Sequence, residues 1–167
     1  MTEVVATNQT ILVVGGGISG MTAALEAAEC GKEVVLIEKN PVLGARVSQL
    51  YRYFPKLCHP TCGLEINLRR LKQNPRIRVL TMAEVTAITG GEGDYSATVK
   101  LAPRYVNENC TACGECAKAV DAEVPDAFNY NLGKTKVAFL PHKMAFPQRY
   151  VLDPSIIGTA DTDKPKA

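Results

Sequence analysis

Apolar positions in the first eighty residues fall into short runs separated by segments of helical spacing. Thr10 to Val14 is a β-branched apolar run that stops at Gly15, the pattern of a buried parallel strand. From Ile18 to Cys30, Met21, Ala24, Leu25 and Ala28 recur at three- and four-residue intervals, and Gly31 offers a left-handed stop, so a helix is expected there. Val34 to Ile37, ending at Glu38, reads as a second buried strand. Strand, helix and strand in so short a stretch make a βαβ unit, whose crossover is right-handed. Pro41 to Pro60 is irregular, with Gly44, Pro55 and Pro60 as breakers. Leu64, Leu68 and Leu71 then mark an amphipathic helix ending near Asn74-Pro75, and Ile77, Val79 and Leu80 a third strand. Val85 to Ile88 and Tyr95 to Leu101 flank Gly90-Gly91-Glu92-Gly93-Asp94 as the arms of a β-hairpin. Past Pro103 the chain turns polar and cysteine-rich, and Asp161 to Ala167 is a polar tail expected to fray.

Composition narrows the class. A chain of 167 residues that is 46% hydrophobic and 22% charged buries a real core, enough for one domain with a small appendage. No apolar run approaches the roughly 20 residues that cross a bilayer, and Met1 to Thr10 lacks the basic start and apolar stretch of a signal peptide. The expectation is a cytoplasmic protein without a membrane span. Six cysteines in such a compartment stay reduced, which favours metal or redox chemistry over a disulfide framework. Cys30, at the end of the first helix, is expected to be a buried structural thiol, and His59 and His142, each isolated, are taken as structural.

The net charge of +2 is unevenly spread. Arg46, Arg52, Lys56, Arg69, Arg70, Lys72, Arg76 and Arg78 face only Glu65 between positions 46 and 78, whereas Glu108, Glu115, Asp121, Glu123 and Asp126 outnumber Lys118 further on. Such runs are ordinarily solvated faces. A basic strip also suits a pyrophosphate or an acidic electron-transfer partner, while the absence of interleaved aromatics speaks against nucleic acid.

Gly15-Gly16-Gly17-Ile18-Ser19-Gly20 fits G-x-G-x-x-G and lies between a strand and a helix start, where a dinucleotide cradle must be. Gly15 permits the turn, Gly17 lets backbone approach a pyrophosphate, Gly20 lets the helix pack on the strand, and the helix's first N–H groups, from Ile18 and Ser19 onward, face the phosphate charge. Glu38 is placed to accept from an adenosine ribose, and an acid there disfavours a 2′-phosphate. FAD and NAD share that ADP half. The following Lys39 to Arg46 resembles the glycine-and-arginine stretch of FAD-dependent two-dinucleotide-domain flavoproteins, with Ala45 where a second glycine is usual, so Gly44 and Arg46 are expected near the FAD diphosphate or ribityl chain.

Cys110-Thr111-Ala112-Cys113-Gly114-Glu115-Cys116 is C-x₂-C-x₂-C, the core of the bacterial ferredoxin run, in which thiolates from one tight loop grip a [4Fe–4S] cube. The last cysteine of the full run falls on Val120, and since in two-cluster ferredoxins that cysteine serves the other cluster, its replacement leaves the first three ligands intact. A fourth ligand is then Cys58 or Cys62, a group off this chain, a non-cysteine group, or absent. Zinc also uses thiolates but ordinarily takes two pairs of ligands. Cys58-His59-Pro60-Thr61-Cys62 is a second constellation: a redox pair beside a flavin, cluster ligands, or packing residues.

Together, Gly15 to Glu38, Phe54 to Cys58, Cys62-Gly63, Pro103 to Val106 and the triplet from Cys110 resemble the A-type subunit of heterodisulfide reductase and its relatives in sulfur metabolism, including the quinone-modifying oxidoreductase flavoprotein. Lys134 to Lys136 and Met144 to Pro147 look closer to the quinone-modifying and sulfur-oxidation branches. The resemblance implies an α/β, Rossmann-like FAD/NAD(P)-binding fold of thioredoxin-reductase type, here incomplete, with a β-hairpin or meander and a small ferredoxin-like cluster-binding segment. It implies domains over 1–102 and 103–153 and a tail over 154–167. It also implies electron transfer between FAD, a [4Fe–4S] cluster, other subunits of the complex and an electron carrier or quinone-linked partner, with a second copy of the chain as a further candidate partner. Two rival readings stand beside it: a flavin-linked dithiol reductase using Cys58 and Cys62, and a non-catalytic module binding an ADP-containing ligand and zinc.

Overall fold

A computed structural model describes residues 9–52 and 54–154, and the chain divides into two units, Met1–Ala102 and Pro103–Ala167. In the first unit, β1 (Ile11–Val14), β2 (Val34–Glu38) and β3 (Ile77–Thr81) form a parallel sheet in the order β1-β2-β3. Ile11 pairs with Val34 and Val14 with Ile37 on one side of β2, and Val34 pairs with Ile77 and Glu38 with Thr81 on the other. The near-continuous apolar run of β2 suits a central strand, and Val34, Leu36 and Ile37 are essentially buried. The first strand departs from its expected burial. β1 is the sheet's edge, no strand pairs with its outer side among the described residues, and Ile11, Leu12 and Val14 stay 38%, 36% and 62% exposed.

The βαβ connection is α1 (Ile18–Glu29), which packs against all three strands through the expected stripe of Met21, Ala24, Leu25 and Ala28, all buried. Gly31, with φ near +86°, donates to the Ala28 carbonyl just beyond the helix end and so satisfies one of its last acceptors. Cys30 corrects its expectation, since it is exposed. At about 100° per residue it falls well round the helix from buried Ala28, toward solvent. One turn, α2 (Ala45–Ser48), interrupts the irregular stretch that follows. Next comes α3 (Thr61–Gln73), which buries Leu64 and Leu71 and lies against α1. The Arg70 guanidinium, 2.7 Å from Glu29 and 3.2 Å from Glu26, spans the two helices; exposed ion pairs of this kind add little stability.

β4 (Ala83–Gly91) and β5 (Asp94–Leu101) pair antiparallel around a two-residue turn at Glu92 and Gly93, with a bulge between Val85 and Ala87. Both arms reach further into the glycine-rich stretch than the residue pattern suggests. Gly90 pairs with Tyr95 at φ near +103°, and a Cβ there would strike the Asp94 carbonyl, so this glycine allows close strand approach instead of ending the strand.

The second unit is built from short pieces: α4 (Glu115–Ala119), β6 (Glu123–Pro125) paired with β7 (Lys134–Lys136), and β8 (Ala138–Phe139) paired with β9 (Val151–Leu152). Asp126 caps a 3₁₀ turn over Ala127–Asn129 by accepting from the Phe128 and Asn129 N–H groups. Val124, Val137, Ala138, Ala145 and Val151 make a small core. No described helix is long and apolar enough to cross a membrane. The tail expected from position 154 lies, but for Pro154, outside the described residues.

Candidate functional site

The turn between β1 and α1 is the glycine run itself. The Gly15 N–H donates to the Ile37 carbonyl at 2.7 Å, and its φ of +104° is one that L side chains rarely adopt. Gly17 is the N-cap of α1, and no side chain caps the helix there, which leaves the first amides of Ile18, Ser19 and Gly20 directed outward. A Cβ on Gly15 or Gly17 would meet no atom within 4 Å, whereas one on Gly20 would strike the Gly15 carbonyl. The glycines thus divide into two kinds: Gly20 sets the contact between helix and turn, and Gly17 faces open space.

Gly16, unassigned by the motif, is the most constrained of the run. It is buried, its N–H donates to Glu38 Oε2 at 2.7 Å, and its carbonyl accepts from the Gly44 N–H at 2.7 Å. A Cβ on it would strike Leu43 and crowd Glu38. Glu38 is 8% exposed, and its Oε1 accepts from both the backbone N–H and the side-chain amide of Asn40 at 2.8 Å each. Three of the roughly four acceptor sites of this carboxylate are therefore used within the protein. Sequence reasoning assigned Asn40 no role; the signal that could have found it is a polar residue two places beyond the acid, a spacing at which side chain and backbone meet. Gly44, at φ +71°, is buried against Leu64 and Met21. Lys39 and Arg46 are exposed.

Cys58 is half-buried and Cys62 exposed, in the loop before α3 and in its first turn respectively, and both are free thiols. The His59 ring stands edge-on to Tyr51 at 5.8 Å, and Arg52 lies 5.1 Å over the Tyr51 ring.

In the second unit, Cys110 and Cys113 lie on the loop into α4 and Cys116 in the first turn of that helix, with Gly114 at φ +86° as the helix N-cap and Ala112 also left-handed at φ +57°. The two left-handed residues, Ala112 and Gly114, turn the backbone between Cys110 and the start of α4. Cys116 is open to solvent as a residue, yet packing around its sulfur pushes its thiol above the usual value; the Ala117 N–H opposes this, and the Cys110 and Cys113 thiols add to it. Burial, then the same three thiols, raises the Tyr150 phenol, and burial lowers the Arg104 guanidinium, with Cys110 opposing. Sequence reasoning missed Tyr150, which lies thirty-four residues beyond Cys116, and gave Arg104 only as part of the Pro103 to Val106 resemblance, with no role of its own.

A bound nucleotide diphosphate fits the glycine turn: two Cβ positions open to solvent, an uncapped helix start and a buried carboxylate are what such a group requires. Among the described residues no three His, Cys, Asp or Glu side chains converge as ligands of a single metal ion. A [4Fe–4S] cube asks for something else, since each thiolate binds a different iron and the sulfurs need not meet at one point. Three thiols within seven residues, with Cys116 in electrostatic reach of the other two, are the donor type a cube takes, whereas structural zinc ordinarily takes four ligands in two pairs.

The family of FAD dependent oxidoreductases matches residues 10–108, from the start of β1 past the hairpin. The chain belongs to the FAD dependent oxidoreductase family. Its α/β, Rossmann-like fold is that of the family. It is 39% identical over 142 residues to the second A-type iron-sulfur subunit of the CoB–CoM heterodisulfide reductase of Methanopyrus kandleri, covering 84% of this chain and 22% of that one. It is 37% identical over 155 residues to the A-type iron-sulfur subunit of the same enzyme in Methanocaldococcus jannaschii, covering 90% and 23%. To the A-type subunit of the ferredoxin:CoB–CoM heterodisulfide reductase of Methanosarcina acetivorans it is 35% identical over 150 residues, covering 87% and 19%. The chain thus spans about a fifth of the length of these relatives.

Proposed function

We propose that this FAD dependent oxidoreductase chain is an electron-transfer portion of a heterodisulfide reductase-like A-type subunit in sulfur metabolism. The observation that carries this reading is the reach of the likeness: a match covering 90% of the chain takes in both Glu38 and the cysteine triplet, and the relatives concerned are named iron-sulfur subunits. In this reading Gly15, Gly17, Ile18, Ser19, Gly20 and Glu38 hold the ADP half of FAD, with Lys39, Gly44 and Arg46 beside its diphosphate or ribityl chain. Cys110, Cys113 and Cys116 hold a [4Fe–4S] cluster. FAD and the cluster supply the electron carriers, and the chain supplies binding, orientation and tuning of potential. The uncapped start of α1 directs N–H donors at the pyrophosphate, and the buried Glu38 carboxylate keeps an acceptor for a ribose hydroxyl while anchoring Gly16. Partner subunits, an electron-carrier protein such as the ferredoxin named in one relative, or a quinone-linked protein exchange the electrons.

The test is an anaerobic preparation examined by visible absorbance with iron, acid-labile sulfide and flavin counted on the same sample, for wild type and Cys113→Ser. Cluster-proportioned iron and sulfide with flavin in the wild type, and loss of most of the iron but not the flavin in Cys113→Ser, is the expected result. A chain with flavin and no iron overturns the cluster assignment. It would shift the redox role to Cys58 and Cys62, a reading favoured by the exposure of Cys62 in the first turn of α3, where a disulfide substrate can reach it. In that case Cys62→Ser abolishes disulfide reduction and leaves the flavin spectrum unchanged.

A further inference from the structure

Tyr150 lies thirty-four residues beyond Cys116 in sequence, yet its hydroxyl returns to the cysteine loop: Oη stands 3.2 Å from the position a Cβ on Gly114 would occupy. Gly114 separates Cys113 from Cys116 and is the N-cap of α4, so the hydroxyl stands over the middle of the triplet's second half. Tyr150 is held there by the residues on both sides. Val151 and Leu152 form β9, paired with Ala138 and Phe139, and the Arg149 carbonyl accepts from Arg104 Nη1 at 3.2 Å. The Leu152 N–H in turn donates to the Arg104 carbonyl. Phenol and guanidinium are thus carried by one hydrogen-bonded pair of segments, and the Arg104 charge interacts with Cys110. The phenol in turn feels all three thiols.

We infer that Tyr150 is a positioning residue of the cysteine-triplet centre, its hydroxyl serving as a hydrogen-bond donor to the sulfur shell of the cluster and setting the cluster's reduction potential. This rests on the proposed cluster at Cys110, Cys113 and Cys116. A phenol is a neutral donor at pH 7, and hydrogen bonds to cluster sulfurs stabilise the more negative, reduced state, so a donor at this place raises the potential. A side chain at 114 is strained by the left-handed backbone, and its Cβ would also crowd the overlying hydroxyl.

The experiment is a redox titration of the full chain, followed by electron paramagnetic resonance, on wild type and Tyr150→Phe reconstituted anaerobically with iron and sulfide and both metals-analysed beforehand. The expected result is equal iron and sulfide content and a midpoint potential shifted to more negative values in Tyr150→Phe. Equal content with an unchanged potential overturns the inference while leaving the cluster assignment standing. A wild-type chain that takes up no iron removes the assignment and the inference with it. If Tyr150→Phe loses iron, Tyr150→His decides: recovery of iron with a potential near that of wild type supports a donor role, and failure to recover shows that the ring serves packing alone and overturns it.

Discussion

At the scale of single residues the glycine turn separates two demands that a sequence motif runs together. Gly16 is enclosed by Glu38, Leu43 and Gly44, so a methyl group there must displace its neighbours. Gly17 is enclosed by nothing, and its backbone, at φ −70° and ψ −179°, is one that alanine adopts freely. Gly16→Ala is therefore expected to destabilise the first unit by about 1–3 kcal/mol through overpacking. Gly17→Ala is expected to leave stability unchanged or raised by up to about 1 kcal/mol, because alanine restricts the unfolded chain. Its effect falls on the ligand: a methyl group in the open space above the turn should weaken FAD and ADP binding by about tenfold or more, roughly 1.4 kcal/mol. Urea denaturation and calorimetric titration of the two variants test both halves. A Gly17→Ala chain that binds ADP like wild type would show that the pyrophosphate lies elsewhere. The motif made the packing role of Gly20 and the open position of Gly17 legible in advance because both follow from strand, turn and helix alone. The role of Gly16 was not, because it depends on Glu38 turning back into the protein, which requires knowing how the end of β2 meets the turn.

At the scale of elements, sequence reading worked where a pattern repeats and failed where pairing is decided by distant partners. The stripe on α1 and the apolar run of β2 fixed their own burial, since a helix or strand with one apolar face has one way to hide it. The same kind of run in β1 ended at a sheet edge, because burial of a strand depends on what lies beside it. The two- and three-residue strands of the second unit are shorter than any periodicity that could announce them. Its 3₁₀ turn carries Phe128 to within 5.2 Å of the His142 ring, whose Nε2 is buried without a partner among the described residues. Burial holds this imidazole below its ordinary value of 6.5. Between that lowered value and 6.5, the unfolded chain binds more protons than the folded one, so stability rises with pH across the window and is lost as the solution is acidified through it. Urea midpoints at pH 7 and pH 5 should differ accordingly for wild type. His142→Phe, which keeps a ring against Phe128, should reduce that difference, and an unchanged pH dependence in the variant would show that another group is responsible.

At the scale of the whole molecule, every residue assigned to the nucleotide lies before Ala102 and every thiol of the triplet after Pro103, in separately packed units. The family match likewise runs only to position 108, short of the first cysteine of the triplet. Family membership therefore speaks for the flavin, whereas the proposed cluster is argued from the cysteine triplet and the longer likeness to the heterodisulfide reductase relatives. If the two cofactors occupy separate units, each should be removable without the other. Stripping iron with a chelator under anaerobic conditions is expected to bleach the cluster absorbance and to lower the unfolding midpoint of the second unit, because metal that binds only the folded form stabilises it by mass action. Bound flavin per chain should be unchanged, since the glycine turn and Glu38, which are proposed to hold it, belong to the first unit. The converse, release of flavin by mild salt at constant iron, should hold as well. Flavin lost in step with iron would mean that the cysteine loop contributes directly to the flavin site, and the division of labour between the two units would have to be abandoned.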